Sequence, residues 1–331
     1  MNYLFELLIS FTIACILVPV LMKASIKLGF TDKPTKRKKH SKPIPLCGGI
    51  AIYIGFFIPY FLITKYNPDD NFFVFLGGEN FDLYQQIMVF IGSTLILGIG
   101  LVDDFYKSRG KEFPIYPRFI IQIISAIIVY SSGIFFRGIT NPITGQFYYL
   151  PSWIQFLLTV TWIFGVTTVI NWSDGMDGLA GGLSVVSSVT FFLAALILGQ
   201  NVSAVSCILL AGAILGFLVY NRYPAKVYMG DSGANLIGFL LSIIALDGAF
   251  KQTTVLSIFI PILALAVPIF DNLFVIFKRF KEGNPVYQAD RSQMHYRLER
   301  KGFTKNQVVL YIISLSIFLS AISILLLLIK Q

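Results

Sequence analysis

Charged residues are scarce in this chain: they make up 13% of its 331 residues, about half the roughly 25% that soluble domains carry. Histidine is almost missing, with two residues, and the three cysteines, Cys15, Cys47 and Cys207, lie far apart. These scarcities exclude a Cys and His zinc site and a disulfide framework. We interpret the cysteines as small apolar packing residues. No stretch reads as a soluble nucleic-acid-binding domain, so we expect no nucleic acid partner.

Hydrophobic residues supply 56% of the chain and aromatic residues 15%. Apolar runs recur along the whole length, and each can cross a hydrocarbon core of about 30 Å as a helix. The sequence therefore predicts an all-α polytopic integral membrane protein forming one domain over residues 1–331. The first run has no lysine or arginine ahead of it and no cleavage site, so we predict a retained span. The predicted spans, about ten in all, are 4–22, 48–66, 86–102, 118–135, 152–170, 184–199, 203–220, 234–250, 253–277 and 307–329.

The basic residues separate by side once ten spans are drawn. All but four of the 26 lysines and arginines fall in alternate loops, at 23–47, 103–118, 171–183, 221–233 and 278–306. The exceptions are Lys65, Arg137, Lys251 and Lys330. By the positive-inside rule these loops are cytoplasmic, and both termini are then extracytoplasmic. The net charge of +9 therefore belongs to the cytoplasmic face, where it suits anionic headgroups or a phosphorylated substrate.

Acidic residues occur at that same face, although topology does not require them there. Neighbouring carboxylates repel one another unless a cation or a hydrogen-bond donor compensates them. Mg²⁺ is the simplest such cation, because it takes one or two carboxylates together with waters and substrate phosphates. Mn²⁺ is the alternative. The acids concerned are Asp103, Asp104, Asp174, Asp177, Asp231 and Asp271.

Glycines accompany two of these acidic loops, in DGMDGLAGG at 174–182 and GDSGAN at 230–235. Each stretch opens an apolar run. Glycine permits tight turns and close approach of backbone to ligand, and a helix N-terminus presents unpaired N–H groups to an anion. Both loops are therefore candidates to face phosphate or metal. For Gly181 and Gly182, close helix packing is an equal alternative.

Five motifs in order resemble the polyprenyl-phosphate N-acetylhexosamine-1-phosphate transferases, which are integral membrane enzymes of glycosyltransferase family 4 that start bacterial cell-envelope polymers. The resemblance runs nearly end to end. The motifs are DKPTKRKKHSKPIPLCGGIAI, GLVDDFYK with PRFIIQ, NWSDGMDGLAGG, VYMGDSGANLIGF, and the last basic loop from PIFDNLF to HYRLERKGF.

The last loop departs from the family pattern D-R-x-H-x-H-H-R-L. This chain keeps His295 but has Gln293 and Tyr296 where histidines are expected. Glutamine and tyrosine can hydrogen-bond a phosphate but cannot carry a proton's charge near neutral pH. Because the phospho-N-acetylmuramoyl-pentapeptide branch has three consecutive histidines here, the resemblance favours the branch that uses UDP-N-acetylglucosamine or a related N-acetylhexosamine. The pentapeptide branch stays as the alternative.

The resemblance implies transfer of an N-acetylhexosamine-1-phosphate from a UDP-sugar to undecaprenyl phosphate, with release of UMP, in a bacterial plasma membrane. It implies Asp231 as the leading Mg²⁺ ligand, assisted by Asp104 or Asp174, and Asp103 as the group that orients or deprotonates the lipid phosphate. Asn171 and Asp174 would hold the nucleotide or the metal. A homodimer is left open. The remaining candidate substrate-binding residues are His40, Lys107, Arg118, Asp177, Asp271, Asp290, His295 and Arg297.

Three other classes compete with this interpretation. Intramembrane carboxylates also mark ion-coupled transporters, but transporter sites tend to lie near the midplane between repeated halves, and no repeat is evident here. CDP-alcohol phosphotransferases share the Asp-Gly start of a motif, but their arginine is absent after Asp177. A noncatalytic scaffold would not need the acids. Pro261 and Pro268 predict a bent or broken ninth span that could open a lipid groove.

Overall fold

The computed structural model of the chain describes residues 2–32, 43–63, 83–141, 144, 146–248, 255–285 and 291–329. Helices dominate it, as the sequence predicts, and a helix or helix pair covers most of each predicted span. Its helices are α1 (Tyr3–Leu28), α2 (Gly48–Ile63), α3 (Leu83–Ser108), α4 (Ile115–Ser131), α5 (Ser152–Ser173), α6 (Leu179–Ile197), α7 (Asn201–Asn221), α8 (Gly230–Asp247), α9 (Val255–Ala264), α10 (Ala266–Lys281), α11 (Met294–Arg300) and α12 (Lys305–Ile329).

Seven of the described helices, α1, α3, α5, α6, α7, α8 and α12, are long and apolar enough to cross a membrane. α2 and α4 are apolar but shorter. The protein is therefore a multi-pass membrane protein, while the number of ten spans stays a prediction. Two small antiparallel sheets interrupt the helical pattern, β1 (Thr31–Asp32) with β2 (Ile44–Pro45) and β3 (Gly138–Thr140) with β4 (Phe147–Tyr149).

Helix α8 is the central helix of the bundle. Every residue from Ser232 to Leu246 is buried, and α2, α3, α5 and α7 pack around it. Glycines make the close approaches possible: a Cβ on Gly100 of α3 would collide with the backbone of Ser232, and one on Gly238 would lie 2.7 Å from the Cα of Thr167 in α5. Small residues are the usual means by which membrane helices approach closely. The start of α8 is therefore held at a fixed place.

The ninth predicted span is broken in two at Leu265, between α9 and α10. Pro268 has no N–H to donate to the carbonyl of Ala264 one turn earlier. The Ser187 hydroxyl of α6 donates to that carbonyl instead, at 2.7 Å. The prolines thus predicted the break, and the structure shows how its free backbone acceptor is satisfied.

Candidate functional site

The segments that the sequence assigns to the basic side meet at one end of the bundle. They surround a polar cavity of about 740 Å³. Asp32 comes from the first of these segments, Asp104 from the second, Asp174 from the third, Asp231 from the fourth and Arg291 from the fifth. The predicted convergence of the aspartate loops on one face is therefore what the fold shows.

The ends of α3, α4 and α8 form a charge cluster at this cavity. Lys107 Nζ lies 2.6 Å from Asp231 Oδ2 and 3.3 Å from Asp103 Oδ2. Arg118 Nη1 lies 2.8 Å from the same Asp103 oxygen and 3.3 Å from Asp231 Oδ2. Two cations thus bridge two carboxylates, and Asp103 is almost completely buried. The cluster is a site of concentrated charge at the edge of an apolar bundle.

Asp104 faces a different neighbour from Asp103, although the two are adjacent in sequence. Its Oδ1 accepts from the backbone N–H of Asp231 at 2.8 Å, and its Oδ2 accepts from the N–H and the hydroxyl of Ser232 at 3.1 and 2.7 Å. A carboxylate at a helix N-terminus satisfies orphan N–H groups and interacts favourably with the helix dipole. Gly230 turns into the helix with φ of +73° directly over this carboxylate. Asp104 therefore fixes the turn that carries Asp231.

Asp174 follows the last residue of α5 and lines the polar cavity with Asp104 and Asp231. Burial, followed by the negative charges of Asp231 and Asp104, raises the pKa of the Asp174 carboxyl to about 7. The negative charges of Asp231 and Asp104 thus destabilise the charged form of Asp174 in the protein alone. A bound cation would relieve that repulsion.

The neighbouring Asp177 binds the loop that follows α7. Its Oδ2 accepts from the backbone N–H of Ala225 at 3.0 Å. Asn221, which the sequence interpretation did not single out, joins the same loops: it accepts from Gly178 N–H at 3.0 Å and donates to the Val227 carbonyl at 2.8 Å. These contacts hold one wall of the cavity, which both residues also line.

The last basic segment is folded onto the site by Asp271 of α10. Both carboxylate oxygens accept from the Met294 N–H at the start of α11, at 2.9 and 2.8 Å. Arg297 Nη2 donates to Asp271 Oδ1 at 2.8 Å, and its guanidinium lies 4.2 Å from the Phe274 ring centroid. Asp271 and Arg297, both predicted to bind substrate, are therefore partners of each other here.

His295, held in place by that short helix, is buried against the loop after α5. Its Nε2 has no hydrogen-bond partner and lies against Gly175, where any Cβ would collide with the ring. Burial lowers the pKa of His295 to about 4. The imidazole is therefore neutral at pH 7. It is buried behind Gly175 and is not among the residues that line the polar cavity, so the predicted phosphate contact is not formed by the ring in this arrangement.

A second cavity, an apolar groove of about 780 Å³, adjoins the charge cluster. α4, α5, α8 and α10 line it, so the second half of the broken ninth span forms one of its walls. Among the described residues, Arg118 is the one charged side chain that lines it. Asn171, predicted to hold nucleotide or metal, lines this groove, and so do the buried amides Gln122, Asn235 and Asn272.

The two cavities meet at the contact of Arg118 with Asp231, because Arg118 lines the groove and Asp231 lines the polar cavity. A molecule with an apolar tail and an anionic head fits the groove with its head at Arg118. A polar anionic molecule fits the cavity. The arrangement can therefore bring two phosphates together at one cluster of carboxylates and cations.

The described residues contain no group of three or more His, Cys, Asp or Glu side chains arranged to hold a metal by themselves. That finding suits Mg²⁺, which commonly takes one or two carboxylates and completes its shell with water and substrate phosphate. Six carboxylates of the described part of the chain line the cavity: the predicted ligands Asp104, Asp174 and Asp231, together with Asp32, Asp177 and Glu299. Of these, Asp104 already uses both oxygens on α8.

Sequence interpretation missed several residues that line the polar cavity. Tyr223 and Tyr228 lie in the loop between α7 and α8, where only the aspartate motif had been noticed, and Tyr296 had been considered only as a replaced histidine. Four of the six predicted acids, Asp104, Asp174, Asp177 and Asp231, line the cavity. Asp103 joins them through both predicted cations, Lys107 and Arg118. His40 and Asp290 lie outside the described residues. The polar lining residues not predicted are Asp32, Asn221, Tyr223, Tyr228, Arg291, Tyr296, Glu299 and Lys305.

Comparison with known proteins finds relatives over nearly the whole chain. The glycosyl transferase family 4 profile matches residues 86–249. A probable undecaprenyl-phosphate N-acetylglucosaminyl 1-phosphate transferase of Bacillus subtilis (strain 168) is 34% identical, over 95% of this chain and 83% of the relative. The decaprenyl-phosphate N-acetylglucosaminephosphotransferase of Mycobacterium tuberculosis (strain ATCC 25618 / H37Rv) is 31% identical, over 89% and 74%. The undecaprenyl-phosphate alpha-N-acetylglucosaminyl 1-phosphate transferase of Escherichia coli (strain K12) is 29% identical, over 92% and 78%.

Proposed function

Because the chain belongs to glycosyl transferase family 4, in the group that transfers sugar 1-phosphates to polyprenyl phosphates, we propose that it transfers N-acetylglucosamine-1-phosphate to undecaprenyl phosphate. The sugar donor is UDP-N-acetylglucosamine and the second product is UMP. The reaction takes place at the cytoplasmic face of a bacterial plasma membrane, where the basic loops lie.

One observation carries the proposal: an apolar groove and a polar cavity share the Arg118–Asp231 contact of 3.3 Å. Each cavity is large enough for its substrate by the usual range of about 300–1,000 Å³ for ligand pockets. The isoprenoid tail lies along the groove, with its phosphate at Arg118. The nucleotide sugar occupies the cavity, where the ring of Tyr228 can stack on a base.

In the reaction an oxygen of the lipid phosphate attacks the β-phosphorus of the UDP-sugar. The bond from that phosphorus to the oxygen bridging to UMP breaks, and UMP leaves with that oxygen. A phosphate monoester has its second pKa near 6, so the acceptor is largely dianionic at pH 7 and needs no strong base. Phosphoryl transfer depends mainly on positioning and charge stabilisation.

The residues divide this work by their contacts. Arg118 binds the acceptor phosphate and Lys107 binds the phosphates of the donor, which leaves Asp103 to hold both cations in place through its contacts of 2.8 and 3.3 Å. Asp104 fixes the start of α8. Asp231, at the meeting point, is the residue around which both substrates align.

Mg²⁺ fits Asp231 and Asp174, whose oxygens face the cavity and whose mutual repulsion a cation relieves. When bound, the ion would stabilise the negative charge that develops on the diphosphate. Asn171 lines the groove side of the same helix end, so we assign it to the acceptor phosphate rather than to the ion.

The test is a reconstituted assay with purified protein, undecaprenyl phosphate, MgCl₂ and a panel of UDP-sugars, with UMP release as the measurement. We expect UDP-N-acetylglucosamine to be the best donor and UDP-N-acetylmuramoyl-pentapeptide to be inactive. Omission of the lipid or addition of EDTA should stop UMP release. No UMP with any donor, or uptake of solute into proteoliposomes without UMP, would contradict the proposal.

A further inference from the structure

Two buried carboxamides form a polar rung in the floor of the apolar groove. Gln122 Nε2 of α4 donates to Asn235 Oδ1 of α8 at 3.3 Å. Gln122 is 9% exposed and Asn235 is 4% exposed, and both line the groove. The bond uses one of the four amide hydrogens of the pair, so three N–H donors are left beside a surface that is otherwise mostly hydrocarbon.

The contact between Gln122 and Asn235 repeats the contact between Arg118 and Asp231 about one helical turn farther from the polar end of the bundle. Gln122 follows Arg118 by four residues on α4, and Asn235 follows Asp231 by four on α8, so each amide lies about 6 Å farther along its helix. Arg118 contacts Asp231 at 3.3 Å, just as Gln122 contacts Asn235. Residues four apart share a helix face. A lipid with its phosphate at Arg118 therefore passes directly over the amide rung.

A buried amide in an apolar wall costs free energy unless its hydrogen-bonding groups are used. The phosphate of the lipid substrate carries several oxygens that accept hydrogen bonds, and it loses bound water when it enters the groove. Neutral N–H donors stabilise those oxygens without cancelling the negative charge that makes one of them a nucleophile, which a second cation would do. Charge and donor pattern therefore both favour a phosphate over any neutral headgroup.

We propose that Gln122 and Asn235 form a neutral donor subsite that binds the hydrocarbon-facing oxygens of the acceptor phosphate, while Arg118 binds those that face the polar cavity. The proposal rests on the proposed function, because it states how the same lipid acceptor is held. It makes both amides substrate-contacting residues and assigns to the groove the selection of an isoprenoid monophosphate.

Asn235→Asp is the most specific variant. It keeps the Oδ1 acceptor for Gln122 and the side-chain shape, but it replaces the NH₂ group, which donates two hydrogen bonds, with an oxygen that only accepts. Gln122→Leu is the second variant. The matched control is Gln86→Leu, which removes another buried amide, 1% exposed and without a partner, from the other end of α3. Affinity for farnesyl monophosphate and for UMP, the thermal midpoint, and the two KM values are measured for each protein.

We expect Asn235→Asp at pH 8 to raise the Kd for farnesyl monophosphate and the KM for undecaprenyl phosphate about tenfold or more. Gln122→Leu should raise both about fivefold, as one lost hydrogen bond does. Affinity for UMP and the KM for UDP-N-acetylglucosamine should stay at wild-type values. The Gln86→Leu control should bind both ligands normally.

Unchanged farnesyl monophosphate affinity in both groove variants would overturn the subsite. So would an equal loss of UMP and farnesyl monophosphate binding that follows a fall in thermal midpoint, because the pair would then act only as a link between α4 and α8. If the wild type binds farnesyl monophosphate but releases no UMP, the proposed transfer reaction fails, and the binding data still decide the subsite.

Discussion

The polar cavity and the apolar groove are nearly equal in size, about 740 and 780 Å³, but they are built differently. Loops between helices line most of the cavity, whereas helix faces line most of the groove. Loops can place many polar groups around one small ligand, while packed helices offer a long, even surface. The difference matches a donor that must be recognised in detail and an acceptor that is mostly repeating hydrocarbon.

The largest effect should come from Asp231→Asn, which removes the charge where the two cavities meet. We expect kcat to fall about 10²- to 10³-fold, as the loss of a preorganised electrostatic group does. Lys107 would lose its nearer carboxylate and keep only Asp103, and the proposed Mg²⁺ would lose a ligand. Farnesyl monophosphate affinity should be retained, since Arg118 remains. UMP release at saturating substrates, with lipid binding as the parallel measurement, checks this. Near-normal turnover would remove the role assigned to Asp231.

A smaller effect, mainly on the acceptor, is expected from Arg118→Gln, which removes a positive charge from the lining of the groove. The acceptor loses a charge-assisted hydrogen bond, so kcat/KM for undecaprenyl phosphate should fall about 10- to 100-fold. The KM for UDP-N-acetylglucosamine should change by less than a factor of three. Arg137→Gln, an exposed arginine near the β3–β4 sheet, is the matched control. An equal fall in kcat/KM for both substrates would contradict the assignment of the acceptor to the groove and of the donor to the cavity.

The smallest effect concerns the wall of the polar cavity and is seen in stability rather than in turnover. The pKa of His295 is about 4 in the folded protein, below its ordinary value of about 6.5. Between these values the unfolded chain binds a proton that the folded chain does not, so stability falls as pH drops from 6.5 to 4. His295→Gln should remove up to about 3 kcal/mol of this pH dependence.

Thermal midpoints of the wild type and His295→Gln across that pH range give the measurement. The variant's curve should be flatter, with the two proteins converging as pH falls. Parallel curves would mean that the folded and unfolded chains bind this proton equally, and burial would then not lower the pKa of His295.

The sequence predicted that the acids gather at one end of the bundle. Each acid lies in or beside an alternate loop, and alternate loops between successive spans lie on the same side of the bilayer. The sequence could not separate Asp103 from Asp104. Consecutive residues on a helix point about 100° apart, so one carboxylate meets Arg118 of α4 and the other meets the start of α8. Which neighbour lies at each angle depends on packing between helices that are far apart in sequence.

The same limit explains Asp271 and Gln122. Asp271 stands in a motif of the resemblance, yet its partner Met294 offers a backbone N–H that no residue pattern reveals. Gln122 and Asn235 are 113 residues apart and stand in two separate motifs, PRFIIQ and VYMGDSGANLIGF, whose pairing no sequence pattern reveals. By contrast, proline chemistry is local, so Pro268 was enough to predict the interrupted span.

The hydroxyl of Ser187 settles what kind of interruption that is. A backbone carbonyl without a hydrogen-bond donor in hydrocarbon would favour bound water or alternative conformations of the chain. Here the Ala264 carbonyl accepts a hydrogen bond from Ser187 of the neighbouring helix α6. The bend between α9 and α10 is consequently held in one conformation by this hydrogen bond. An isoprenoid can enter the groove sideways from the bilayer along the fixed face of α10. Tail units that extend beyond the groove stay among the surrounding lipids. Chain length beyond that point should therefore matter little to recognition.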